Sequence, residues 1–296
     1  MERKQASDFD PRVLKLFDRY VHGVITRRDF LDSAAKFAVG GVSASALLDA
    51  LNPKFAAAQQ IAPADSRIRA EWVEFPSPQG YGKVRAYRVR PANVSGKLPG
   101  VLVVHENRGL NPHIEDIARR VALDNFIALA PDALAPLGGY PGDEDSARAL
   151  FAKLDQAKTR EDFVAAAQYL KAMPETNGKI GVVGFCYGGD IANLLATRVA
   201  DLRAAVPFYG AQPNSADVAK IHAALLIHYA ANDERINAGW PAYEAALKAA
   251  AVKYQAYIYP GTEHGFNNDT TPRYNEAAAK LAWQRTIAFF NQNLRE

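Results

Sequence analysis

The stretch that decides the fold is Lys179-Ile180-Gly181-Val182-Val183-Gly184-Phe185-Cys186-Tyr187-Gly188-Gly189. Up to Phe185 it is almost free of polar side chains, as expected of a strand buried on both faces of a parallel sheet. A helical pattern begins directly at Tyr187, so Cys186 stands at the tip of a strand-to-helix turn. A residue held there adopts strained backbone angles, and Gly184 and Gly188 remove the side chains that would keep strand and helix apart. The helix start adds a positive dipole end and free N–H groups, which lower a thiol pKa and stabilise an oxyanion. G-x-C-x-G in this context is the pattern of a nucleophile elbow.

Cys186 is the only cysteine among 296 residues, which excludes an internal disulfide and argues against a cysteine-built zinc site. A lone cysteine is either a small buried hydrophobe or a reactive group. Its place on the elbow favours the second.

Outward from the elbow, short β-rich runs alternate with longer helical ones from about Ser66 onward, the signature of a mainly parallel sheet covered by helices. Arg69 to Phe75 and Lys83 to Arg90 flank the Gly80 and Gly82 turn and predict an antiparallel edge hairpin. Val101 to Val104 and Phe126 to Ala130 predict buried parallel strands around a helix over 113–124. Helices over 144–155 and 159–172 precede the strand that carries the elbow. Further strands are expected at Ala204 to Tyr209, Ala223 to Tyr229 and Tyr254 to Tyr259, with a final helix over 273–294 and a loop over 132–143. The fold class is α/β: an α/β-hydrolase fold with a sheet of about 7–8 strands and helices on both faces.

A thiol nucleophile needs a base and a group that orients the base, and in this fold they follow the nucleophile as acid, then histidine. Asp233 follows the buried run Leu225 to Tyr229, at the end of a parallel strand where such sheets place their sites, with Glu234 as its neighbour and competitor. His264 follows Tyr257 to Tyr259 in a loop of turn-forming residues. Of the six histidines, His22 falls in the N-terminal leader, His113 opens a helix, and His222 and His228 flank or occupy a strand. The loop His105-Glu106-Asn107-Arg108-Gly109 should lie beside Cys186 and supply an oxyanion-hole N–H, at Asn107, to partner that of Tyr187. Glu106 reads either as a surface carboxylate paired with Arg108 or as a group that receives the thiol proton or steers substrate.

Composition bounds the partners. With 49% hydrophobic and 23% charged residues and a net charge of +3, the chain fits a packed globular protein with no strong field for nucleic acid or anionic lipid. Glycines, serines and Asp49 interrupt the best candidate for a membrane-spanning run. Near the N-terminus, Thr26-Arg27-Arg28-Asp29-Phe30-Leu31, a modestly hydrophobic segment from Ala34 to Leu51, and Ala56 to Ala58 resemble a twin-arginine export signal. That places a leader at 1–58 cleaved after Ala58, a linker at 59–68, one catalytic domain at 69–296, and a periplasmic or exported protein that uses the twin-arginine machinery. Phe9, Val13, Leu16, Phe17 and Tyr20 at helical spacing support the alternative, a cytoplasmic protein whose N-terminal helix stays attached and packs on the domain or a partner subunit.

Four motifs together resemble the dienelactone hydrolase family, the carboxymethylenebutenolidases, over most of residues 70–293. They are Glu106 with Gly109-Leu110-Asn111, Gly184 to Gly189, Asp233, and Gly261, His264 and Phe266. The resemblance implies a Cys186/His264/Asp233 triad that opens an ester or lactone, with Glu106 taking part in thiolate formation when substrate binds. No cofactor or metal is expected. Where the best-known members hold an anionic substrate with an arginine shortly after the histidine, this chain has Asn267, Asn268 and Asp269. The same scaffold also serves broad carboxylesterases and thioesterases, separated by a substrate panel, or a catalytically silent binding module, marked by an unreactive thiol. The sequence leaves open the natural substrate and whether the chain forms an oligomer.

Overall fold

The computed structural model describes residues 4–38 and 43–295. Val39 to Val42, in the hydrophobic stretch of the leader, the first three residues of the chain and its last residue lie outside the described residues. Four helices come first: α1 (Pro11–Val21), α2 (Arg27–Ala34), α3 (Ala44–Leu51) and the single turn α4 (Phe55–Ala58). The hairpin strands β1 (Ile68–Ser77) and β2 (Gly82–Pro91) follow, then β3 (Leu98–Val104), α5 (Pro112–Leu123) and β4 (Ile127–Pro131). Next come α6 (Glu144–Phe151), α7 (Gln156–Ala172), β5 (Thr176–Phe185), α8 (Tyr187–Arg198) and β6 (Leu202–Phe208). The chain closes with β7 (Ala224–Asn232), α9 (Glu234–Asn237), α10 (Trp240–Ala249), β8 (Tyr254–Glu263) and α11 (Glu276–Arg295).

The eight strands form one sheet in the order β1-β2-β4-β3-β5-β6-β7-β8. β1 and β2 pair antiparallel, and β2 joins β4 antiparallel. From β4 onward every pairing is parallel. The crossing between β3 and β5 puts the elbow strand inside the sheet, with β3 on one side and β6 on the other. This is the switch in strand order beside which open α/β sheets place their ligands. One face is covered by α7, α8 and α10 through Phe163, Leu170, Ile191, Leu195 and Leu247. The other is covered by α5 and α11 through Ile114, Val121, Phe290 and Leu294. Gly181 lets α11 approach: a Cβ there would stand 2.8 Å from the Phe290 ring.

The predicted elements of the sheet domain form with shifted ends. The helix expected over 144–155 stops at Phe151, and the last helix begins at Glu276 rather than 273. The loop before it is tied down, with Asn275 N–H donating to Phe266 O and Lys54 N–H to Thr270 O. Residues 234–250, unassigned in the sequence, form α9 and α10, whose Tyr243 and Leu247 are buried.

The N-terminal helices have a core of their own, with Phe9, Val13, Leu14, Phe17, Tyr20, Phe30, Leu48 and Leu51 buried. Their starts are fixed locally. Asp10 caps α1, Thr26 and Asp29 form a capping box on α2, and Ser43 caps α3. The linker is held as well: the N–H groups of Gln60 and Ile61 donate to the Asp116 carboxylate at 3.1 and 2.8 Å, and Arg119 Nε donates to Ile61 O. Among the described residues no helix is long and apolar enough to cross a membrane.

A Cβ on Gly184 would lie 1.8 Å from the carbonyl oxygen of Gly188, a backbone atom that cannot swing aside. Gly184→Ala should therefore part β5 from α8, with a loss of about 1–3 kcal/mol and a fall of several degrees in Tm. A variant that keeps the wild-type Tm and the wild-type reactivity of its thiol would show that the close approach is not needed.

Candidate active site

Cys186 closes β5 and caps α8 with φ 54° and ψ −112°, a left-handed conformation that is a genuine strain for a residue with a side chain. Its N–H donates to Phe208 O on β6 and its C=O receives the N–H groups of Gly189 and Asp190, so the strained turn is fixed from both sides. Gly188 makes the turn fit under β3: a Cβ there would meet Val104 O at 2.3 Å. Tyr187 is the first residue of α8, so its N–H has no acceptor within the helix and stands next to the thiol.

The ends of the next strands bring the partners. Asp233 follows β7 directly and caps the short α9, where its Oδ1 accepts from Ile236 N–H at 3.3 Å. Its other oxygen, Oδ2, lies 2.5 Å from His264 Nδ1, and both residues are buried. Glu234, the competitor in sequence, points to solvent near Lys15 instead. With Nδ1 taken by Asp233, the histidine presents Nε2 to the site. That atom is buried and has no hydrogen-bond partner among the described residues.

Burial alone would push the Cys186 thiol up, but the positive charge of His264 and the imidazole of His22 outweigh it and bring the pKa down to about 5. Burial works in the opposite sense on His264, which the thiolate and Asp233 nevertheless hold up at about 10. Thiolate and imidazolium stabilise each other as an ion pair inside the site. The Cys186 thiol, the His264 imidazole and the Asp233 carboxylate thus stand together in one site.

Glu106 lies at the end of β3 and lines the same cavity as Cys186 and His264, with Asn268 Nδ2 donating to its Oε2 at 3.0 Å. Arg108 does not pair with it in an ion bridge. Its Nε faces Glu144 at 3.5 Å, and its guanidinium donates to Asn107 and to Val21 O. Asn107 also lines the cavity, with its side-chain amide turned to Val21 O. His105 is buried with both ring nitrogens engaged, and burial lowers its pKa to about 4, so it serves the loop rather than a proton transfer. His228 is also a core residue, bonded to Thr286 and Tyr259.

Two groups at this site escaped the sequence pattern. His22, just after α1, reaches across to put Nε2 3.5 Å from Cys186 Sγ and its ring 4.8 Å from that of His264. Its Nδ1 lies 2.7 Å from the backbone oxygen of Asp18 and 3.3 Å from the carboxylate, an acid four residues back on the same helical face. That spacing is the one signal the sequence carried. Arg273, later in the His264 loop, also lines the cavity and approaches Asp18 at 3.5 Å. Tyr20, Val21 and His22 cover the mouth, where Arg148 and Arg108 donate to the carbonyls of Tyr20 and Val21. The cavity beneath them is about 40 Å³, room for about three waters.

The dienelactone hydrolase family model matches residues 84–294, and a second model, described as YqhI-like, matches residues 1–37. A Salmonella typhi protein named as a carboxymethylenebutenolidase is 34% identical over 243 residues, 77% of this chain and 89% of that one. The Escherichia coli K12 hydrolase fragment YghX is 55% identical over 114 residues, 38% of this chain and 97% of the fragment. Among solved structures, a dienelactone hydrolase from Klebsiella pneumoniae superposes with a TM-score of 0.67 at 31% identity, over 76% of this chain and 99% of that one. The metagenomic dienelactone hydrolase-like promiscuous phosphotriesterase P91 gives a TM-score of 0.66 at 26% identity, over 77% of this chain and 99% of that one. With its elbow, its sheet order and these relatives, the chain is a member of the dienelactone hydrolase family, a hydrolase of esters or lactones.

Proposed function

We propose that this hydrolase works through Cys186, His264 and Asp233 and a covalent acyl-enzyme. The observation that carries the proposal is the strained elbow thiol beside a histidine whose Nδ1 is held 2.5 Å from a buried aspartate. The Cys186 thiolate attacks the ester carbonyl, and the N–H groups of Tyr187 and Asn107 bind the resulting oxyanion. The C–O bond breaks, and His264 Nε2 passes its proton to the leaving alcohol. His264 then takes a proton from water, whose oxygen attacks the thioester, and the C–S bond breaks to return the thiolate. Glu106, held by Asn268, steers the substrate and takes the thiol proton whenever the site reverts to its neutral form.

Thioesters form readily from thiolates but hydrolyse slowly, so strained or activated esters such as lactones are the substrate class the site suits best. A substrate of that size exceeds the present cavity, and access requires α1 and the Tyr20-to-His22 segment to draw back.

For residues 1–58 the packing favours a retained unit over a cleaved twin-arginine leader. Support comes from its closed core, its capped helices and its bonds to the loop after β3. N-terminal sequencing of the mature protein is expected to begin at Met1 or Glu2, and a start at Gln59 would return the export signal.

Cys186→Ala is expected to lower turnover of p-nitrophenyl acetate by at least ~10³-fold, and wild-type activity in that variant would exclude the thiol mechanism. Asp233→Asn keeps the shape but loses the anion that orients His264, and kcat should fall by about 10²–10⁴-fold; an unchanged kcat would remove Asp233 from the machinery. The reactive form of Cys186 is the thiolate, so it disappears as pH falls through the folded value. Alkylation by iodoacetamide in the presence of a chelator should therefore rise with its midpoint around pH 5 and be level by neutral pH. A rise centred near the ordinary thiol value would show that no ion pair forms.

A further inference from the structure

The side chains of Cys186, His264 and His22 come from the elbow, the loop after β8 and the end of α1, yet their donor atoms all lie within 4.8 Å of one another. Cys186 Sγ and His22 Nε2 are 3.5 Å apart. Two ligands of a tetrahedral zinc ion, with Zn–S about 2.3 Å and Zn–N about 2.0–2.1 Å, stand about 3.5 Å from each other. Both histidines are held through Nδ1, as metal ligands are, and turn Nε2 toward the site. His264 Nδ1 is on the Asp233 carboxylate, and His22 Nδ1 is on Asp18 through its backbone oxygen and its carboxylate. The second observation is His264 Nε2 itself, which is buried, aimed into the cavity and without a hydrogen-bond partner among the described residues. The cavity of about 40 Å³ between these side chains has room for an ion with a bound water.

We propose that Cys186, His22 and His264 form a site for a zinc-class transition-metal ion, with the fourth position open to water, that latches the N-terminal unit over the active site. A thiolate with two imidazoles is a donor set for zinc and its neighbours rather than for magnesium or calcium. Around it stand the carboxylates of Glu106, Asp18 and Asp233 and the cations Arg108 and Arg273. Arg235 approaches His22 Nε2 at 3.0 Å. It is an exposed side chain, and it turns out to solvent when the ion takes that nitrogen. Binding forms Cys–S–metal and His–N–metal bonds and releases whatever protons the three groups carry. It ties up the nucleophile and the base together, so the loaded enzyme is closed and idle, and a chelator opens it. This departs from the expectation of no metal, which rested on the single cysteine. The second histidine lies 164 positions away and is brought in by the fold.

The latch rests on Cys186 being the nucleophile proposed above, and its test reads the metal directly. The full-length protein, freed of metal with EDTA, is titrated with Co²⁺ and followed by absorption. Wild type is expected to show, at one equivalent, a thiolate-to-cobalt charge-transfer band with the intense visible bands of a four-coordinate site, all displaced by Zn²⁺. The charge-transfer band should vanish in Cys186→Ala. His22→Ala and the more conservative His22→Asn, each checked for native circular dichroism, should weaken Co²⁺ affinity at least about tenfold. Absence of the band in wild type, or unchanged affinity in both folded His22 variants, would overturn the site. The hydrolase mechanism is judged apart, by esterase activity in EDTA. Cys186-dependent turnover without cobalt bands removes the metal site alone, and cobalt bands with Cys186-independent turnover remove the thiol mechanism alone.

Discussion

The structure depends on one steric constraint, the approach of β5 to α8 with nothing between Gly184 and the carbonyl of Gly188. The turn can be that tight only because both positions lack a Cβ, and its tightness forces Cys186 into a backbone conformation that L-residues avoid. The strain is held by the hydrogen bond of Cys186 N–H to β6 and by the start of α8. In return the sulfur is lifted out of the sheet to the point where the ends of β3, β7 and β8 converge. Each of those strand ends carries one chemical group: Glu106, Asp233 and His264.

The electrostatics follow from the same placement. Buried without company, a thiol would stay neutral and a histidine would lose its proton. Side by side, and with Asp233 fixed by the N–H of Ile236, each keeps the other charged. The carboxylate is needed because it holds Nδ1 and so commits Nε2 to the thiol. The neighbouring Glu234 cannot do this, since α9 turns it outward.

Much of this was legible in the sequence because it is local. Apolar runs bounded by turns gave the parallel strands, and Gly-x-Cys-x-Gly between strand and helix gave the elbow. The order acid then histidine selected Asp233 and His264, which the fold brings together although 31 positions separate them. What was illegible is non-local. His22 and Cys186 have no spacing that links them, and Arg273 reaches the cavity through the course of a loop rather than a motif. Helix α10 is not singled out in the sequence, and its Tyr243 and Leu247 prove to be buried in the fold. The two arginines at 27 and 28, which resemble an export signal, open α2 behind the Thr26 capping box in the fold. The contact with Cys186 is made by His22, four residues before that cap.

The N-terminal unit supplies His22 and a wall of the cavity, and it is bonded to Arg108, Asn107 and Arg148. The central claim remains the covalent role of the elbow thiol. Acid quenching of the chelator-treated enzyme during turnover of a slow activated ester, followed by peptide mass spectrometry, tests it most directly. The mechanism predicts the acyl mass on the peptide that contains Cys186. Turnover with that peptide unmodified at every quench time, or with the acyl group on another side chain, would contradict it.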